Sequence, residues 1–226
     1  MPLEGLLNRP TSVVLYGSDR PLLNWVAYAL ASAEDPEFHW TDVRLAGEVL
    51  AVTDPLSLGV VPPERLNIRY PHELLPNDAD ANMAIAGVVR EDGASDTMRR
   101  LMDFIRLPMD AQRWLAGGPS GGRPRVFVLS NGHRLVSSYP PNSLAPVLGA
   151  IVEAGAAMFM TFADSPPASH AAFESALHLH GHDPKAWRQA TLKVERGPSA
   201  GPLRAGSEYR LGELDIVASV LARHLV

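Results

Sequence analysis

Apolar, β-branched runs that alternate with amphipathic stretches predict an α/β protein with a mostly parallel central sheet. Three observations carry that expectation. Thr11 to Tyr16 is a short apolar run followed within a few residues by an apolar helix-like segment, Pro21 to Ser32. Arg125 to Leu129 and Ala156 to Phe162 are further runs of the kind found in strands buried on both faces. The twenty prolines and eighteen glycines cluster between such runs instead of inside them.

In chain order, Thr11 to Tyr16 predicts the first strand. Pro21 then suits the first turn of a helix that Ser18 or Asp19 can cap. Phe38 to Leu45, with aromatic and β-branched residues, predicts a second strand, and Leu66 to Tyr70 a short third one. Helices are expected at Asp80 to Val89, at Ser95 to Leu107 and, after Pro108, at Asp110 to Leu115. In the second of these, Met98, Leu101, Met102 and Ile105 share one face. Gly117 to Pro124 reads as a surface loop before the strand Arg125 to Leu129. A helix over Ser143 to Glu153, the strand Ala156 to Phe162 and a short helix over Ser169 to Leu177 follow. A strand pair, Ala176 to His180 with Gln189 to Arg196, precedes a closing helix at about Leu211 to Leu225.

The 226 residues suit one domain, 1–226, and are marginal for two. Hydrophobic residues at 46% and charged residues at 20% are ordinary for a soluble globular protein. No apolar run reaches the ~20 residues needed to span a bilayer, and Glu4, Asn8 and Arg9 interrupt any secretory signal. Cysteine is absent, which excludes disulfides, thiolate metal sites and a thiol nucleophile. A cytoplasmic location is expected. A net charge of −5 gives no global attraction to nucleic acid, and Trp25, Trp40, Trp114 and Trp187 are not interleaved with basic residues as single-strand binding would want.

Parallel α/β sheets bind ligands beyond the carboxyl ends of their strands, so the segments after Tyr16 and after Leu129 should border one crevice. The candidate loop there comprises Gly17, Ser18, Asp19, Arg20 and Asn24, with Ser130 opposite.

Several stretches resemble the RecA/KaiC-type P-loop ATPase superfamily. Leu3 to Gly17 is similar to its short helix, turn and first strand; Arg125 to Leu135 to its Walker B strand; Leu144 to Phe162 to the helix and strand that follow; Ala190 to Gly197 to a late strand ending in a basic residue and glycine. The resemblance implies a three-layer α/β/α RecA-like fold. It also shows what has changed. A phosphate loop uses glycines whose N–H groups surround phosphate oxygens, and a Lys to neutralise them. Aligned on Gly17, the second glycine falls on Leu22, the Lys on Leu23 and the magnesium-binding Ser/Thr on Asn24. Asp19 adds negative charge, Arg20 is a partial replacement for the Lys, and Pro21 removes an N–H donor. The Walker B position runs into neutral Ser130 and Asn131, poor ligands for a hard dication. Thr41 and Asp42 lie where the catalytic Glu would be, and Lys193 and Arg196 fall on opposite faces of their strand.

The expectation is a non-catalytic, RecA/KaiC-like pseudo-ATPase, without a cofactor, that acts as a regulator or scaffold. Its partner is a protein, an active ATPase relative or the chain itself, and the terminal helix with Leu214, Val217, Leu221 and Leu225 is the element expected to face it. An alternative is a small-molecule or nucleotide sensor using the crevice beside Gly17 to Arg20. A further alternative is a weak hydrolase: His178, His180 and His182 alternate as a strand-borne metal site would require, and Ser130, Ser137 and Ser138 lie near His133. No catalytic residue is assigned, and no metal site beyond those three histidines.

Overall fold

The computed structural model describes residues 10–69, 126–136, 145, 148–149, 152–153, 155–163, 171–181, 183–198, 201 and 203–226. Among these residues, eight strands form one sheet: β1 (Ser12–Gly17), β2 (His39–Val43), β3 (Leu66–Arg69), β4 (Val126–Ser130), β5 (Ala157–Ala163), β6 (Ser175–His180), β7 (Thr191–Arg196) and β8 (Glu208–Arg210). Their order is β3-β2-β4-β5-β1-β6-β7-β8. The first six positions are parallel, while β7 and β8 run antiparallel at one edge. The mixed α/β class and the mostly parallel sheet are as expected.

Among the described residues, helices α1 (Arg20–Glu34), α2 (His133–Val136) and α3 (Asp215–His224) accompany the sheet. Asp19 caps α1 by accepting the Leu22 N–H at 3.0 Å, and Pro21 sits in the first turn, where a missing N–H costs nothing. The helix stops at Asp35 because Pro36 cannot extend it.

Side chains alternate across the sheet with period two. Val13 and Leu15 of β1, Val126 and Val128 of β4, Phe159 of β5, and Leu177 and Leu179 of β6 share one core with Leu22, Trp25, Val26 and Leu30 of α1 and with Val217 and Leu221 of α3. The intervening residues, Val14, Tyr16, Phe127, Leu129, Met158, Met160 and Phe162, are buried as well. Phe173 meets Phe162 edge-on at 6.1 Å on that second face.

Several boundaries differ from the sequence expectation. Residues 175–177 belong to β6 and not to a short helix, because Ser175, Ala176 and Leu177 pair with Val13, Val14 and Leu15. Gln189 closes a 3-10 segment, Pro184–Gln189, so β7 begins at Thr191. The terminal helix starts at Asp215 after a 3-10 turn, Leu211–Glu213. It is a packing helix: Leu214, Val217 and Leu221 are buried against the core, and His224 stacks on Trp25 at 4.9 Å. Its apolar side is therefore closed to a partner. Edge strand β8 was not foreseen. The helices expected at 80–89, 95–107 and 110–115, the loop 117–124 and Trp114 lie outside the described residues.

The strand order marks where a parallel sheet of this kind offers a ligand site. After β2 the chain moves outward to β3, whereas after β4 it moves the opposite way to β5. Neighbouring strands whose connections diverge define a topological switch point, here at the carboxyl ends of β2 and β4.

Candidate functional site

Asp42 lies at that switch point and is fully buried. Its Oδ1 accepts from Ser130 Oγ at 2.5 Å, from Asn131 Nδ2 at 3.0 Å and from Arg20 Nη2 at 3.4 Å, while Oδ2 accepts from Arg44 Nε. Ser130 Oγ in turn accepts the Trp40 indole N–H at 2.9 Å. Asn131 reaches Asp42 because its backbone takes a left-handed φ of 56°, which Asn tolerates better than other non-glycine residues. The same Nδ2 also donates to the Val43 carbonyl at 3.0 Å.

A second carboxylate, Glu48, enters from the segment between β2 and β3. It accepts from Arg20 Nη1 and from both terminal nitrogens of Arg134, at 2.5 and 3.0 Å, and from the Leu45 N–H at 2.9 Å. Burial pushes its carboxyl up, but the Arg134 hydrogen bond, the Leu45 N–H and the charges of Arg20 and Arg134 outweigh this and hold it at about 2.

A third carboxylate, Asp54, is buried beside α1. It accepts from Asn24 Nδ2 and from the Leu56 N–H, each at 2.9 Å. Burial dominates there and raises its carboxyl to about 6, against the lowering effect of those two bonds. Asn24 continues the network: its Oδ1 accepts from Thr161 Oγ1 at 3.3 Å, and Thr161 accepts the Asn131 N–H at 3.2 Å. Polar groups from α1, β2, β4 and β5 thus form one connected network. Three guanidinium groups, Arg20, Arg44 and Arg134, are paired with two carboxylates, Asp42 and Glu48.

The candidate loop residues are brought together only in part. Just Ser18 and Asp19 separate β1 from α1. Leu22, Leu23 and Asn24 are wound into α1 and buried. Asn24 and Ser130 join the network described above, Arg20 is bound to its two carboxylates, and Ser18 is exposed. Gly17 has a packing role: a Cβ there would sit 2.5 Å from the Leu179 carbonyl oxygen. Sequence reasoning missed Arg44, Glu48, Asp54, Arg134 and Thr161. The one available signal was position, since the segments after β2 and β4 both lie at strand carboxyl ends.

The hydrolase candidates are not assembled. Ser130 gives its proton to a carboxylate, His133 lies edge-on to Phe162 at 6.3 Å, and Ser137 and Ser138 lie outside the described residues. His178 and His180 do share a sheet face, with rings 3.7 Å apart, while His182 lies outside the described residues. Tyr16 stacks on His178 at 4.5 Å and donates its phenol proton to Glu195. Burial and then His180 lower the basicity of His178, against the pull of Glu195. Among the described residues, no group of three or more His, Asp or Glu is arranged to hold a metal ion. Likewise, no described helix is long and apolar enough to cross a membrane. No protein-family model matches the chain, and no curated protein matches it.

Proposed function

We propose that this chain is a non-catalytic, RecA/KaiC-like pseudo-ATPase domain that acts as a regulatory or scaffolding protein through protein–protein association. The observation that carries the reading is the use made of the α1 N-terminus. In a phosphate-binding loop that end meets an anion with free N–H groups and a cation. Here Asp19, a carboxylate of the chain itself, accepts the Leu22 N–H, and the adjacent cation, Arg20, is held by Asp42 and Glu48.

The remaining chemistry agrees. Asp42, at the position the resemblance gives to the catalytic Glu, accepts four hydrogen bonds from residues of the chain itself. A triphosphate would also have to displace Glu48 from Arg20 and Arg134 and draw Arg20 away from buried Asp42. Losing the phosphate loop leaves the sheet and the α1–α3 core intact, so the domain keeps a surface for partners.

Thermal-shift titration with ATP, GTP and magnesium tests this. A native-state ligand at a hundredfold its Kd stabilises by ~2.7 kcal/mol, a shift of several degrees. The reading expects none; a saturable, Arg20-dependent rise would contradict it.

A further inference from the structure

The second face of the sheet is buried over β1, β4 and β5 but opens to solvent at β6 and β7. Side chains alternate there with period two. Leu177, Leu179, Leu192 and Val194 belong to the core, whereas His178, His180, Lys193 and Glu195 lie on the other face. His178 and His180 are two residues apart on β6, so both imidazoles project from one side, with ring centroids 3.7 Å apart. His178 is held from two directions. Tyr16 stacks on it at 4.5 Å with 14° between the planes, and its Nδ1 faces Glu195 Oε1 at 3.6 Å. Glu195 is itself positioned, since its other oxygen accepts the Tyr16 phenol proton. Lys193 Nζ lies 3.6 Å from Glu195 Oε1 and balances its charge. A carboxylate before Nδ1 keeps the proton on that nitrogen and leaves the Nε2 lone pair free. His180 is exposed, so its ring is free to turn a nitrogen toward that lone pair.

We propose that His178 and His180 chelate one divalent transition metal ion of the zinc, nickel and copper group, with Glu195 as the carboxylate that orients His178. Neutral imidazole suits these ions, whereas magnesium and calcium take oxygen ligands. A carboxylate behind the imidazole is the arrangement that metal-bound histidines normally have. The fold itself has little use for it, because ion pairs as exposed as those of Glu195 with His178 and Lys193 add little to stability. Two protein ligands leave the ion's other positions to water, so the site is open to a further ligand. Strands β4, β5 and β1 separate it from Asp42, and it stands apart from the pseudo-ATPase reading.

Isothermal titration of the full chain with zinc, in a buffer that does not bind the metal, tests this. One saturable site is expected, with no heat from magnesium. His180→Ala, at an exposed position, should abolish binding at the zinc concentrations that saturate the parent while leaving Tm unchanged, and His178→Ala should abolish it too. Glu195→Gln keeps both imidazoles but removes the orienting charge, and should weaken zinc about tenfold. Zinc held at random by surface histidines would not register that change. In the copper-loaded chain, electron paramagnetic resonance should show splitting from both imidazoles, reduced in either alanine variant. The absence of a saturable zinc site, binding that survives His178→Ala or His180→Ala, or an affinity indifferent to Glu195→Gln would overturn the proposal.

Discussion

Arg20 joins two carboxylates from different elements: one terminal nitrogen binds Glu48 in the loop after β2, and the other lies 3.4 Å from Asp42 within β2. The fold uses this side chain as an internal brace. Arg20→Ala leaves Arg44, Ser130 and Asn131 on Asp42 and Arg134 on Glu48, so the loss should be moderate, ~1–3 kcal/mol. Asp42→Ala strands several buried donors at once and should cost more, ~3–5 kcal/mol. Urea denaturation of the two variants checks the ranking, and equal losses would contradict the hub role of Asp42.

Asp54 makes a pH prediction whose sign is set by burial. Its carboxyl is raised from 3.8 to about 6 in the folded chain. Between those values the native state holds a proton that the unfolded chain has released, so stability falls as pH rises through the window. The fall is on the order of 1–3 kcal/mol, complete above about pH 6. Glu48 works in the opposite sense: its carboxyl is held at about 2, so its stabilising share is present above 4.5 and is lost as pH falls through 4.5 toward 2. In Asp54→Asn the decline between pH 4 and 6 should flatten, leaving the variant no less stable than the parent at pH 8. Parallel stability profiles for the two proteins would sink the assignment.

Gly17 separates packing from ligand binding. An added Cβ meets the Leu179 backbone oxygen at 2.5 Å, and backbone in a sheet cannot move aside cheaply. Gly17→Ala should therefore lower stability by ~1–3 kcal/mol. A variant with unchanged Tm would show that the close approach is not needed.

Asn131 tests the strained turn after β4. Asn131→Gly keeps the left-handed φ but loses the bonds to Asp42 and Val43; Asn131→Ala loses both and adds strain. The alanine variant should be the less stable by ~1 kcal/mol. If the two melt together, the backbone conformation contributes nothing.

Much of the fold was legible because the responsible signals are local. Val13 to Tyr16, Val126 to Leu129 and Met158 to Phe162 announce strands by uninterrupted apolarity, and Asp19-Arg20-Pro21 announces a helix start. β6 was misread at its beginning because Ser175 and Ala176 have no strong preference and are fixed by pairing with Val13 and Val14. The site was legible only at its edges. Glu48 meets Arg134 and Asp42 meets Ser130 across more than eighty residues, contacts that only the strand order creates. Glu48 and Asp54, set in an apolar stretch, gave no sign of facing inward.

The most direct test is isothermal titration of the purified chain with a nonhydrolysable ATP analogue and magnesium. The account predicts no saturable heat up to millimolar ligand, because Asp19 caps the helix that would receive phosphate and Arg20 is bound by Asp42 and Glu48. Stoichiometric binding at micromolar affinity, abolished by Arg20→Ala, would contradict it.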